Sequence, residues 1–370
     1  MRVMVAGTHM NEMARRFAGG GTVAEVESLR RGHIHSSFVV TIDHREGSRR
    51  LLLQRINESV FADPSAVISN ARSITSHLRD RLGRSGVGDV ERRVLSPVVG
   101  DGSEDFVRDG EGGWWRAFRF IEGAAPAQRV DREHVEQAAR AFGQFQRLLT
   151  DYDGPELAVT LPGFHDTPAR LDALEAAARE GRTGRLAEVK AELEGILDRR
   201  ALGSALSRDD LPIRLVHNDA KLDNVLFDTA AGEALCVVDL DTVMPGVVGH
   251  DFGDMVRSMS TRVPEDAAPG DLVEVDLSLY AAMTRGYLGV MGPYLSRVET
   301  QSLVPAGMVS TLEVAARFLT DHLQGDVYFR IDRPGQNLDR TRTQLALLEA
   351  LIDARPRLEE IVAREVRSGF

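Results

Sequence analysis

At 370 residues, with 43% hydrophobic and 27% charged residues, the chain has the composition of a folded globular protein of roughly two domains. Its 45 Lys and Arg against 56 Asp and Glu give a net charge of −11, which argues against non-specific binding to nucleic acid or anionic membranes. One cysteine, Cys236, sits in an apolar run and excludes an intramolecular disulfide; with no charged-then-apolar leader and no run of ~18 apolar residues, a reduced cytoplasmic protein is expected.

Residues 1–22 read as a disordered leader without assigned function. Two β-like runs, 38–42 and 51–56, flank a polar turn that contains Gly47 and predict a hairpin. Asp63-Pro64 then opens a helix, Asp as N-cap and Pro as first helical residue, with Val67, Ile68, Ala71, Ile74 and Leu78 on one apolar face. Strands are predicted at 94–99 and 114–121. The Gly/Ala/Pro stretch 122–127 marks a change from period two to helical spacing, so the expected domains are 23–122 and 123–370. Helices follow at 132–149, 167–180 and 185–206, then short strands at 213–217, 225–227 and 234–239, then helices at 277–287, 298–320 and 339–367. The expected class is α+β: a two-lobed, protein-kinase-like fold with a small β-rich N-terminal lobe and a larger, mainly helical C-terminal lobe.

The chemistry concentrates in His217-Asn218-Asp219-Ala220-Lys221-Leu222-Asp223-Asn224 and, beyond it, Val238-Asp239-Leu240-Asp241. Phosphoryl transfer of the kinase type needs a carboxylate at the acceptor hydroxyl, an amide oxygen on a metal and a second carboxylate bridging metal and phosphates. Asp219, Asn224 and Asp239 supply these in order, with ATP and Mg²⁺ as the expected cofactors. Asp241, two residues on along an expected strand, points the same way as Asp239 and is read as a second metal ligand or an acceptor contact. Lys221 is either a surface charge or the group that neutralises the transferring phosphoryl.

The paired motifs resemble the aminoglycoside phosphotransferase and choline kinase superfamily. Longer strings, Leu53-Gln54-Arg55-Ile56-Asn57, Asp239-Leu240-Asp241-Thr242-Val243-Met244-Pro245-Gly246, Asp251-Phe252-Gly253-Asp254 and the run from Arg317 to Phe329, are similar to its N-acetylhexosamine 1-kinase branch. That resemblance implies transfer of phosphate to the anomeric hydroxyl of an N-acetylhexosamine, with Asp219 as base and Asp241, Thr242, Arg317, Asp321 and Tyr328 near the sugar. By spacing alone, Arg317 and Asp321 are an i,i+4 pair on a helix surface.

The sequence departs from a kinase at the nucleotide. No lysine stands on the strand that ends in Gln54-Arg55, so Arg55, or else Gln54, is expected at the phosphates. Gly32, His33 and Ser36 are candidates for a phosphate-covering turn, and Phe120, Ile121 and Glu122 fall at the interlobe hinge expected to read adenine. Two rivals to the sugar kinase remain: a kinase of an aminoglycoside, choline-like amine or other small alcohol, and a nucleotide-binding pseudokinase regulator. Monomer and homodimer are equally compatible with the sequence.

Overall fold

A computed structural model of the chain describes residues 2–29, 34–207, 209–267 and 271–368, with side chains from residue 9 onward. The chain forms two units: residues 1–124 with 152–161 and 238–243, and residues 125–151 with 162–237 and 244–370.

The first unit opens with helix α1 (Arg2–Arg16), strands β1 (Thr22–Leu29), β2 (Ser36–His44) and β3 (Gly47–Arg55), helix α2 (Pro64–Arg84) and the short α3 (Val90–Arg93). Strands β4 (Pro97–Val98), β5 (Val107–Arg108) and β6 (Trp114–Arg119) complete an antiparallel sheet of order β1-β2-β3-β6-β4, with β5 also on β6. The hairpin β2-β3 pairs Val40 with Leu51 and Phe38 with Leu53. The expected leader is corrected here. Met13, Ala14, Phe17 and Ala18 are buried against Val40, Ile42, Leu51, Leu53 and Trp115, because one sheet face is apolar and needs a cover. Helix α2 starts as expected, with Asp63 Oδ1 accepting from the Ser65 and Ala66 amides at 3.0 and 3.1 Å, and it buries the predicted apolar face. The strand expected over 94–99 shrinks to two residues at Pro97, which has no N–H to give a ladder.

The second unit contains β7 (Ala124–Pro126), α4 (Arg132–Leu148), α5 (Thr167–Glu180), α6 (Lys190–Leu197), strands β8 (Arg214–Val216), β9 (Val225–Asp228), β10 (Ala234–Val237) and β11 (Met244–Gly246), and helices α7 (Val248–Met259), α8 (Leu277–Met291), α9 (Arg297–Gln324) and α10 (Gln336–Arg367). One continuous helix over 185–206 does not form. Two 3₁₀ turns, Arg185–Glu188 and Arg200–Ser204, flank α6, and the stretch carries the poor helix formers Gly195 and Gly203. Helix α9 is the one described helix long and apolar enough to cross a membrane, and 78% of that stretch is buried inside the protein, as suits the central helix of a core. Against it pack α7, with Phe252, Met255 and Met259, and α10, with Leu347, Leu348 and Leu351; Tyr280, Met283 and Tyr287 of α8 join the same core through α4, α7 and α10.

Candidate active site

In the second unit, β8 delivers the chain into the loop 217–221 and a 3₁₀ turn, Leu222–Asn224, returns it to β9. Asn218 takes a left-handed φ of 63°, a conformation that Asn tolerates better than most residues and that turns the chain sharply before Asp219. Asp219 Oδ2 accepts from Lys221 Nζ at 2.7 Å and from Asn224 Nδ2 at 2.8 Å. Burial alone would raise the Asp219 carboxyl, but the Lys221 charge and these hydrogen bonds hold it well below the usual carboxylate range. Asp219 is therefore ionised, and among the described residues no donor occupies Oδ1. Asn224 Nδ2 also reaches the Asp219 carbonyl at 2.8 Å, so the amide nitrogen is committed to Asp219 and the amide oxygen is left for another partner, which fits the donor a hard cation requires. Sequence spacing thus brings Asp219, Lys221 and Asn224 together.

Two further residues that spacing did not disclose fix this loop. Asp251 on α7 accepts the His217 N–H at 2.9 Å, the Asn218 N–H at 2.6 Å and Gln146 Nε2 at 2.6 Å, and Tyr287 in turn donates its hydroxyl to Gln146 Oε1 at 2.6 Å. Burial pushes the Asp251 carboxyl up, while His217 and these N–H donors oppose that. On the carbonyl side, His165 Nε2 lies 2.9 Å from the Asn218 oxygen and its Nδ1 lies 3.0 Å from Glu313 Oε1. Asp251 stood inside a family-like string without a role, and His165 stood in a loop without any motif.

The arginine expected near an acceptor, Arg317 on α9, has its guanidinium carbon 5.1 Å from the Phe164 ring, 5.5 Å from Phe329 and 5.9 Å from Tyr328. Burial and the Arg317 charge push the neighbouring Arg170 guanidinium down. Asp321 does not pair with Arg317. Its carboxylate accepts the N–H groups of Val327 and Tyr328 on Oδ1 and of Phe329 on Oδ2, together with Asn337 Nδ2, and so builds the loop that carries Tyr328. This corrects the surface-pair and sugar-contact expectations for Asp321: three main-chain amides converge on it because the helix has just ended and their partners must come from a side chain.

Asp239, Asp241 and Thr242 belong to the first unit. Asp239 has a left-handed φ of 62°, and residues Leu240–Thr242 form a 3₁₀ turn rather than the expected strand. Asp241 is 3% exposed, and both its oxygens are taken: Oδ1 by Arg116 Nη1 at 2.5 Å, Oδ2 by Arg116 Nη2 at 2.7 Å and His35 Nε2 at 2.5 Å. Burial would raise this carboxyl, but Arg116 and His35 hold it far below the usual range. A second metal at Asp241 is thereby corrected, since a buried fork-to-fork ion pair leaves it no free oxygen. Thr242 is buried beside it, and the Asp241 carbonyl accepts from Thr160 Oγ1 at 2.7 Å.

Gln54 and Arg55 were alternatives for one role, and the sheet separates them. Alternation puts Ser37, Gln54 and Arg116, which are neighbours in register, on one face, and Arg55 with Trp115 on the other, toward α1. Gln54 Oε1 accepts from Arg116 Nε and Nη2 at 3.1 and 2.9 Å. Arg55, 41% exposed, leans instead toward Asp109 and Glu111, at 3.6 and 3.9 Å. Only Gln54 therefore shares a face with the segment that carries Asp239. Ser36 is exposed at the start of β2 and sits opposite Arg55. Gly32 and His33 lie outside the described residues. At the expected hinge, Phe120 lies under Arg50 at 4.3 Å, Ile121 is buried, the Glu122 side chain pairs with Arg50, and the Glu122 carbonyl accepts from Arg92 Nη2 at 3.0 Å. That carbonyl is therefore engaged within the unit.

An antiparallel sheet unit and a mainly helical unit that presents an ionised aspartate on a tight loop define a phosphotransferase with the protein-kinase-like fold. The chain belongs to the phosphotransferase enzyme family, which it matches over residues 25–286. Among solved structures, it resembles a microcompartment-associated aminopropanol kinase (14% identity, TM-score 0.63, 95% of this chain and 98% of that one). It also resembles an aminoglycoside phosphotransferase from Alicyclobacillus acidocaldarius (16%, 0.58, 91% and 93%) and a spectinomycin phosphotransferase in complex with ADP and spectinomycin (12%, 0.54, 91% and 94%). At these identities the likeness is one of fold.

Proposed function

We propose that this chain is an ATP- and Mg²⁺-dependent small-molecule kinase, and that its acceptor is the anomeric hydroxyl of an N-acetylhexosamine-like sugar, giving a sugar 1-phosphate in a cytoplasmic setting. The observation that carries the phosphotransfer reading is the ionised Asp219, locked by Lys221 and Asn224 with Oδ1 left open. In this reading, Oδ1 accepts the acceptor's hydroxyl proton and aligns its oxygen, and Lys221 places positive charge beside the carboxylate. Asn224, through its amide oxygen, would serve as a metal ligand, and Asp239 is proposed as a further ligand on its place in the sequence motif alone; the metal, when bound, supplies charge neutralisation at the phosphates. The ADP found with a fold neighbour supports a nucleotide donor.

A neutral sugar is favoured over an amine by the charges around Arg317. Arg317 and Arg170 bring two guanidiniums together, while Asp321 is committed to loop amides and Glu313 to His165 and Thr167. An ammonium beside these guanidiniums would meet repulsion. Following ADP release with ATP and Mg²⁺ across N-acetylhexosamines, hexoses, aminoglycosides and choline-like amines tests the reading. Turnover should be highest with an N-acetylhexosamine, and product should carry phosphate at C1 by ³¹P–¹H NMR. Preference for an amine, or phosphate elsewhere on the ring, would refute it.

A further inference from the structure

The loop that holds Asp219 is gripped by charge from both sides of one residue. Asn218 gives its N–H to the Asp251 carboxylate at 2.6 Å, while its carbonyl faces His165 Nε2 at 2.9 Å. The other ring nitrogen of His165 faces Glu313 Oε1 at 3.0 Å, and Glu313 Oε2 accepts the Thr167 hydroxyl at 2.7 Å. A carbonyl and an ionised carboxylate are both acceptors only. For both contacts to be hydrogen bonds, each nitrogen of His165 must carry a proton, so the ring is an imidazolium. The charges around it agree. From α9, Glu313 favours the cation and Arg317 lies one turn further on; from α7, Asp254 favours it, and the His250 ring lies tilted against it, centroids 4.5 Å apart. Burial disfavours that charge, and Glu313 more than offsets the penalty, so the His165 pKa is raised; His250 is pushed down to about 3 and is neutral.

We infer that His165 is a positioning residue for phosphoryl transfer, which as an imidazolium pinned by Glu313 holds the Asn218 carbonyl and so sets the direction of the Asp219 side chain. This rests on Asp219 acting as the base. His165 sits immediately before the N-cap of α5, and Asp166 Oδ1 accepts the Ala169 N–H at 3.0 Å, so the ring is borne by a fixed helix start. Asn218 must stay in its left-handed conformation for Asp219 to leave the loop in its present direction, and the main-chain hydrogen bonds of Asn218 to Asp251 and His165 oppose a flip of either flanking peptide. Misplacement of a reacting group by ~1 Å costs up to ~100-fold in rate.

The test compares His165→Gln and the double variant His165→Gln/Glu313→Gln with wild type, and includes Asp219→Asn in the same assay. His165→Gln should lower kcat ~10–100-fold, with KM for nucleotide and acceptor changed by less than about threefold. In that variant the introduced amide oxygen meets a buried carboxylate. The double variant removes this conflict, since the amide introduced at position 313 can donate where Glu313 accepted, and it should recover at least about fivefold in kcat while keeping a neutral bond to Asn218. Wild-type kcat should fall on the alkaline side as His165 loses its second proton, and the double variant should lack that fall. Should His165→Gln not fold, the double variant and its pH profile decide alone. Unchanged kcat in His165→Gln, equal loss of kcat and KM effects, or the same alkaline limb in wild type and double variant would overturn the inference. If Asp219→Asn itself retains turnover, the base assignment fails instead, whatever His165 does.

Discussion

Asp219, Lys221 and Asn224 were legible because they lie within six residues of one another and their chemistry is local. Asp251, His165 and Arg116 were not, since each acts on a partner 33 to 125 residues away and only the fold brings them into contact. Replacing Asp219 with Asn keeps the shape and removes the charge, so turnover should drop at least ~100-fold with little change in nucleotide affinity; steady-state kinetics together with nucleotide titration separate the two. A second residue-scale expectation concerns acid. His250 has its pKa lowered to about 3, chiefly by burial and then by the charge of His165, so between that value and the ordinary 6.5 the unfolded chain takes up a proton the folded chain refuses. Its contribution is complete above about pH 6.5 and is lost as pH falls toward 3, on the order of a few kcal/mol. Glu313, lowered to about 2 by His165 against the opposing effect of burial, adds a loss of the same sign below about pH 4.5. Urea unfolding from pH 7 to 4 should show this decline, and His250→Asn should flatten it; a variant with the wild-type slope would assign the decline to other groups.

Helices with local end signals read correctly from the sequence. Asp63-Pro64 opens α2, and Asp166 and Gly181 bound α5, with Gly181 in a left-handed φ of 60°. Helix α7 was missed because it is buried nearly all round: Val248, Phe252, Met255, Val256 and Met259 share it with buried Gly249, Asp251, Gly253 and Asp254, so no polar face marks the period. Glycine on these helices is a packing device. A Cβ on Gly286 of α8 would lie 2.1 Å from the Glu136 carbonyl oxygen and 3.2 Å from the Arg140 nitrogen, which are main-chain atoms of α4 and cannot swing aside. Gly286→Ala must therefore push α4 and α8 apart, at a cost of about 3 kcal/mol. Gly289, one turn along the same helix, is exposed and meets nothing within 4 Å, so Gly289→Ala should stabilise by up to about 1 kcal/mol through helix propensity alone. Chemical denaturation of the pair gives opposite signs if close backbone approach is what fixes Gly286. Two losses of similar size would mean that helix entropy and packing have been wrongly apportioned.

At the scale of the whole chain, a single boundary near residue 122 describes the order of elements but not the partition of the molecule. Segments 152–161 and 238–243 return to the first unit, a long-range association that composition along the chain does not encode. Their contribution there is specific. The Asn70 side chain donates to the Ala158 carbonyl at 2.8 Å and accepts the Ala158 N–H at 3.0 Å, and Leu161 packs with the cluster of Ile56, Phe61, Val67 and Ile68. Arg116, 4% exposed, depends on Asp241 for its counter-charge; its other partners among the described residues, the Gln54 amide and the Phe118 ring at 5.1 Å, are neutral. A fragment of residues 1–124 therefore keeps every strand of the first unit's sheet yet deprives Arg116 of its carboxylate and the Asn70 amide of its main-chain partners, losses on the order of a few kcal/mol together. Against a total stability of ~5–15 kcal/mol for a domain, these losses should prevent cooperative folding. The fragment should show poor amide dispersion in a ¹H–¹⁵N spectrum and no sigmoidal urea transition. In the same fragment, Arg116→Met removes the unpaired charge and should restore part of the transition; a wild-type fragment that already unfolds cooperatively would show that the sheet and α1 alone suffice for this unit.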